Sequence, residues 1–159
     1  MPILLSNEYL SVTIDPDAPI VRTVRLERTF PTDDLFVAAH EEVVRALAGI
    51  ERRRYAHMLD LRRGPMNNDP RFEEATSRVR LLMIQDFAHL AVVTRTAAGA
   101  LQIARLGRQG SISLPVFQDA EVAVSYLKAA LAGKPLARSG ASPTPTPWPP
   151  ATGRSLKMP

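Results

Sequence analysis

The chain of 159 residues and 17.5 kDa is the size of one ordinary domain, and 45% hydrophobic with 23% charged residues excludes a wholly disordered polymer. It has no cysteine, which excludes disulfides, thiolate catalysis and cysteine-ligated metals together. The formal charge of +4 invites a nucleic-acid reading, but all 16 acids lie in residues 1–133 beside 16 of the 20 basic residues. The excess belongs to Lys134, Arg138, Arg154 and Lys157 alone, so nucleic-acid binding is disfavoured for the domain itself.

Met1–Glu8 lacks the charged start and apolar run of a secretory leader, and no stretch approaches the ~18 apolar residues of a membrane span. A cytoplasmic protein with no membrane contact is the expectation. Tyr9–Ile14 reads as a strand, ended by the turn-rich Asp15-Pro16-Asp17-Ala18-Pro19. Ile20–Phe30 reads as the second half of a hairpin. Ile20, Val24, Leu26 and Phe30 fall on one face, Thr23, Arg25, Glu27 and Thr29 on the other, with Val21, Arg22 and Arg28 breaking the alternation.

Thr32 is a helix N-cap candidate, followed by two acids in the first turn, where the helix dipole favours them. Phe36, His40, Val43, Leu47 and Ile50 form the apolar stripe of that helix. Tyr55–Leu61 is a third strand, and Arg62–Asn68 a long turn after it. Asp69-Pro70 predicts the next helix start, an acid cap followed by proline at the first helical position, with Phe72, Ala75, Val79, Leu82 and Met83 facing inward. Ala88–Val93 is a fourth strand, Thr96–Arg108 a helix, and Leu114–Phe117 a short fifth strand. Gln118 or Asp119 opens the last helix, which buries Ala123, Tyr126, Leu127, Ala130 and Leu131 and ends at Gly133.

The composition breaks after Ala132: half of the 14 prolines fall in residues 134–159, including the Pro147-Trp148-Pro149-Pro150 run. Proline removes the amide donor and fixes φ, so neither helix nor central strand forms easily there. The division expected is an α/β domain over residues 1–133 and a disordered, Pro-rich basic tail over residues 134–159. Within the domain the order β-β-α-β-α-β-α-β-α predicts a mixed sheet of about five strands, with one antiparallel hairpin and right-handed parallel crossovers.

That order, with Tyr55–Gly64 (YAHMLDLRRG), Asn68–Glu73 (NDPRFE), Ala91–Thr96 (AVVTRT) and Val116–Leu127 (VFQDAEVAVSYL), resembles the STAS family of sulfate transporters and anti-sigma-factor antagonists. The likeness runs over residues 9–131. It implies a STAS-like fold whose central strand ends in an acid, here Asp60, before a loop and helix that meet protein partners. Simple members carry a phosphorylatable hydroxyl in that loop; this chain has no Ser or Thr between Leu61 and Ala75, so the usual phosphorylation switch is not expected.

The residues assigned to partner binding are Asp60, Arg62, Arg63, Asn67, Asn68, Asp69 and Arg71, gathered at the C-terminal end of a strand, where ligands and partners of open α/β sheets bind. The plainer alternative is that Asn and Asp make the turn and caps while the arginines are solvated. Arg52-Arg53-Arg54 complements a helix C-terminus. His40, His57 and His89 lack metal-ligand spacing, and along a strand His57 and Asp60 point to opposite faces, which disfavours a His–Asp relay. No nucleophile set, Walker loop or dinucleotide motif is present, and Gly107–Gly110 is too short to cradle phosphate.

The expectation is a non-enzymatic interaction or regulatory domain with a protein partner of unknown identity and no cofactor; a homodimer is left open. The alternative is a small-ligand sensor. Its helices carry many alanines (Ala97, Ala98, Ala100, Ala104, Ala123, Ala129, Ala130), which leave room for a pocket against the sheet or permit close packing.

Overall fold

The computed structural model describes residues 1–133 apart from Met66, Asn68, Gly110, Ser111 and the side chain of Gln109. The tail assigned to residues 134–159 lies outside the described residues.

Six strands form one sheet in the order of the chain: β1 (Ile3–Ser6), β2 (Leu10–Ile14), β3 (Ile20–Arg25), β4 (Ala56–Asp60), β5 (His89–Val93) and β6 (Val116–Phe117). β1, β2 and β3 are antiparallel neighbours, and β3 through β6 run parallel. Four helices accompany them: α1 (Asp33–Ala46), α2 (Pro70–Ile84), α3 (Ala97–Gln109) and α4 (Ala120–Leu131). The mixed α/β architecture matches the sequence expectation, with one strand more than the five expected.

The additional strand is β1. Its three apolar residues are too few for a pattern of their own, and pairing supplies what the pattern lacks. Asn7 Oδ1 accepts from the Tyr9 and Leu10 amides at 2.9 and 2.8 Å, a side-chain-stabilised turn that folds β1 back onto β2. The second correction concerns β3, which stops at Arg25 instead of running to Phe30. There the guanidinium turns inward and donates to the carbonyls of Tyr9, Leu26 and Arg28, drawing the following backbone out of the ladder. Thr23 and Arg25, expected on the polar face, are buried because the sheet is covered on both faces.

Parallel crossovers that all step the same way put α1, α2 and α3 on one face of the sheet. Val21, Thr23 and Arg25 of β3, His57 and Leu59 of β4 and Val92 of β5 look toward them, by the register of the strands. The opposite face carries Ile20, Ala56, Met58, Ala91, Val93 and Phe117, and packs on Ala123 and Leu127 of α4. The small side chains of α4 therefore serve close helix–sheet packing.

The helix ends are where the local chemistry puts them. Thr32 Oγ1 accepts from the Leu35 amide at 3.2 Å, and Asp69 caps α2 by accepting from Arg71 N at 2.9 Å with Pro70 in the first turn. Asp119 accepts from both Glu121 and Val122, and Gly133 closes α4 at φ 65°. On α2 the buried stripe is Phe72, Thr76, Val79 and Met83; Ala75 is exposed, contrary to expectation. Thr76 tolerates the interior because its hydroxyl donates to the Phe72 carbonyl at 2.7 Å. No helix among the described residues is long and apolar enough to cross a membrane.

Candidate functional site

Asp60 ends β4 on the α4 face, with its carboxylate almost entirely buried. Oδ1 accepts from the Arg62 amide at 3.2 Å and from Arg62 Nε at 2.9 Å, and Oδ2 from an Arg62 terminal nitrogen at 2.7 Å. Burial alone raises a carboxyl pKa. Here the Arg62 hydrogen bonds and charge, with Arg22 nearby, outweigh it and hold Asp60 below its ordinary value. The same fork holds the Arg62 guanidinium above its ordinary value. Asp60 thus pins the first residues of the loop, and its lone pairs are engaged by Arg62.

The rest of the expected site divides. Asn67 Oδ1 accepts from Asp69 N at 2.9 Å, so Asn67, Asp69 and the backbone of Arg71 together form the start of α2. Arg63 leaves this group and pairs with Glu27 at 3.3 Å. The side chains of Arg63 and Arg71 are exposed, and Asn68 lies outside the described residues. Gly64 rests on the buried stem of Arg25: a Cβ there would sit 2.1 Å from Arg25 Cγ. Only glycine lets the loop approach that closely. Among the described residues no three His, Asp or Glu side chains converge as metal ligands.

On its other side the same loop borders a cleft. Leu61, Gly64, Pro65 and Asn67 form one wall of a space of about 1030 Å³, open on one side, between α1, α2, α3 and the sheet. Leu59 marks it most plainly. It lies mid-sheet on the helix-covered face, yet it is only partly buried while its β4 neighbours Met58 and Asp60 are buried. Ile103, Leu106 and Leu114 face the space from α3 and the segment before β6. A polar clasp spans the rim: Glu73 of α2 accepts from Gln102 of α3 at 3.0 Å and pairs with Arg105, and Gln102 also donates to the Asn67 carbonyl at 3.1 Å. The alanines of α3 do not line this space: Ala97 and Ala98 are exposed, and the half-buried Ala100 and Ala104 lie outside its lining.

One end of the cleft is aromatic and cationic. Phe36 stacks on His40 at 3.8 Å between centroids and meets Phe72 edge-on at 5.0 Å. The Arg80 guanidinium lies 5.4 and 5.2 Å from the Phe36 and Phe72 ring centres. Burial lowers the Arg80 pKa, only partly opposed by Glu73. His40, whose Nδ1 faces the Phe36 carbonyl at 2.7 Å, is pushed down to about 4 by burial, against the effect of that carbonyl and helped by the charges of Arg80 and Arg25. On the strand side of this face, His57 Nε2 lies 2.8 Å from Thr23 Oγ1; burial, aided by the charge of Arg52, pushes its pKa down to about 3. His57 and Asp60 indeed occupy opposite faces of β4.

Arg80 escapes a reading of the sequence because it sits one residue past Val79 on the shoulder of the apolar stripe, where arginines are ordinarily solvated. Its position eight residues after Phe72, two helical turns on, is the signal that places it near the same ring.

No family model and no curated protein matches the chain. Among solved structures it is similar to an uncharacterized protein of the DUF3478 family from Shewanella loihica, described as having a SpoIIAA-like fold. The two share 14% identity at a TM-score of 0.52, over 77% of this chain and 98% of the other. The chain therefore has a SpoIIAA-like fold, the fold that its likeness to STAS domains implied.

Proposed function

We propose that the chain is a non-enzymatic, ligand-responsive regulatory domain. The cleft between α2, α3 and the sheet holds a small apolar molecule, and the loop that walls it meets a protein partner. The observation that carries this reading is the double role of residues 61–67. They line the cleft with Leu61, Gly64, Pro65 and Asn67, and they carry Arg62 and Arg63 at the C-terminal sheet edge. A molecule seated in the cleft touches the back of the surface that Arg62, Arg63, Asn67, Asp69 and Arg71 offer to a partner. Small-molecule pockets are commonly ~300–1,000 Å³ and mostly apolar, and this space, at about 1030 Å³, lies just above that range. A ligand in this position also supplies what the missing loop hydroxyl removes, a way to switch the partner surface without phosphorylation.

Titration with the neutral fluorophore N-phenyl-1-naphthylamine tests the cleft. Enhanced, saturable emission is expected from the wild-type protein. Leu59→Trp combined with Leu106→Trp narrows the space from floor and helix, and should weaken the probe at least tenfold while the far-UV circular dichroism is kept. Equal probe affinity in the folded double variant would remove the cleft from the reading. For the partner surface, crosslinking in native extract should lose its adduct in Arg62→Ala/Arg63→Ala/Asn68→Ala. An adduct unchanged by that triple variant would place the interface elsewhere.

A further inference from the structure

Arg80 is a cation in an unusual position. Its guanidinium lies over two phenylalanine rings in the lining of an apolar cleft, and among the described residues no hydrogen bond or ion pair reaches it. Glu73, seven residues earlier on α2, acts on Arg80 by its charge, but its Oε1 is taken by Gln102 and Arg105 at the rim and no ion pair joins it to Arg80. Arg25, the second guanidinium lining the cleft, gives three of its five N–H donors to backbone carbonyls. Among the described residues, then, no acceptor is bonded to the Arg80 guanidinium that lines the cleft. Arg80 is half-buried, its partial burial disfavours the charge, and an anion brought into the cleft offsets that penalty.

Resting on the reading of the cleft as a ligand site, we propose that its ligand is a single-chain aliphatic carboxylate. The head group takes the Arg80 fork, and the chain runs along Leu59, Leu61, Leu106 and Leu114. A guanidinium offers two parallel N–H donors, which match the two oxygens of one carboxylate. Phosphate heads gather more donors than the one fork of Arg80 provides. A cationic head is repelled by both arginines. A neutral chain fills the apolar part but leaves Arg80 as it is.

The test is displacement of N-phenyl-1-naphthylamine at pH 7.5 by four ligands of one chain length: dodecanoate, dodecanol, dodecyl phosphate and dodecyltrimethylammonium, all as monomers. Dodecanoate should compete at least tenfold more strongly than dodecanol and more strongly than dodecyl phosphate, and the ammonium least of all. Arg80→Gln should erase the preference of dodecanoate over dodecanol, and Arg80→Lys should keep part of it. Equal affinity for dodecanoate and dodecanol, tighter binding of the phosphate, or a preference that survives in Arg80→Gln would overturn the carboxylate assignment and leave the cleft reading standing. If none of the four displaces the probe, or the probe itself does not bind, both fall. The head-group comparison needs only the wild-type chain, so the assignment is tested even where a variant fails to fold.

Discussion

Acidification between pH 7.5 and 5 should destabilise this fold through two buried histidines. His40 and His57 have folded-state pKa values near 4 and near 3, each set first by burial. In the unfolded chain both return to ~6.5. Below that value the unfolded state binds protons that the folded state refuses, so stability is complete above about pH 6.5 and falls as the pH drops below it. By pH 5 each histidine contributes a loss of about 2 kcal/mol, and the pair about 4 kcal/mol, against the ~5–15 kcal/mol of a typical domain. The loss levels off only near pH 4 for His40 and near pH 3 for His57. Urea unfolding followed by far-UV circular dichroism reads this directly. With a slope of about 2 kcal/mol per molar, the midpoint should fall by about 2 M between pH 7.5 and 5. In His40→Gln/His57→Gln that pH dependence should flatten, whatever the variant's absolute stability. A wild-type midpoint moving by less than about 0.5 M, or an undiminished slope in the double variant, would refute the assignment of neutral buried imidazoles.

Asp60→Asn should cost about 2 kcal/mol at pH 7, because the Arg62 fork loses its charged acceptor while Arg62 itself can turn to solvent. Asp60 has a depressed pKa, so its contribution is present above the ordinary carboxyl value near 3.9 and is lost as pH falls through the folded one. The difference between wild type and Asp60→Asn should shrink as the pH falls below the ordinary carboxyl value, as measured by urea midpoints. Gly64→Ala should cost about 2 kcal/mol, since the new methyl meets an Arg25 stem held in place by three carbonyls, whereas Gly49→Ala, with nothing within 4 Å, should be near neutral in the same thermal melt. Arg80→Met should raise the urea midpoint of the ligand-free protein, because it removes a charge that partial burial disfavours. A lower midpoint there would mean that Arg80 is held by the fold and is not waiting for a ligand.

Most of the fold is legible in the residues because capping and periodicity are local. Thr32, Asp69 and Asp119 open the helices that they predict, and the hairpin and parallel units follow in order. What is illegible depends on partners distant in sequence. Ile3–Ser6 becomes a strand only because Asn7 turns it against β2. The mixed pattern of Ile20–Arg25 cannot be divided into an inner and an outer face when both faces are covered, and Arg25 is buried only because three carbonyls converge on it. The same holds for the site. The turn at Asn67 and Asp69 can be read from the residues, and the acid at the end of the central strand from the STAS likeness. The cleft is a gap between three helices, and no residue spacing encodes a gap. The alanines left a pocket or close packing open; those of α4 mediate close packing, and the room lies beside Ile103 and Leu106 of α3.

The most direct measurement is a methyl-resolved NMR titration of the full chain with monomeric dodecanoate at pH 7.5. Saturable shifts should appear at Leu59, Leu61, Val92, Ile103, Leu106 and Leu114, which surround the cleft, while Ile20 and Leu127 of the opposite core stay in place. A spectrum unchanged at saturating ligand, or shifts confined to exposed side chains such as Ile3 and Val122, would contradict a ligand site between these helices and the sheet.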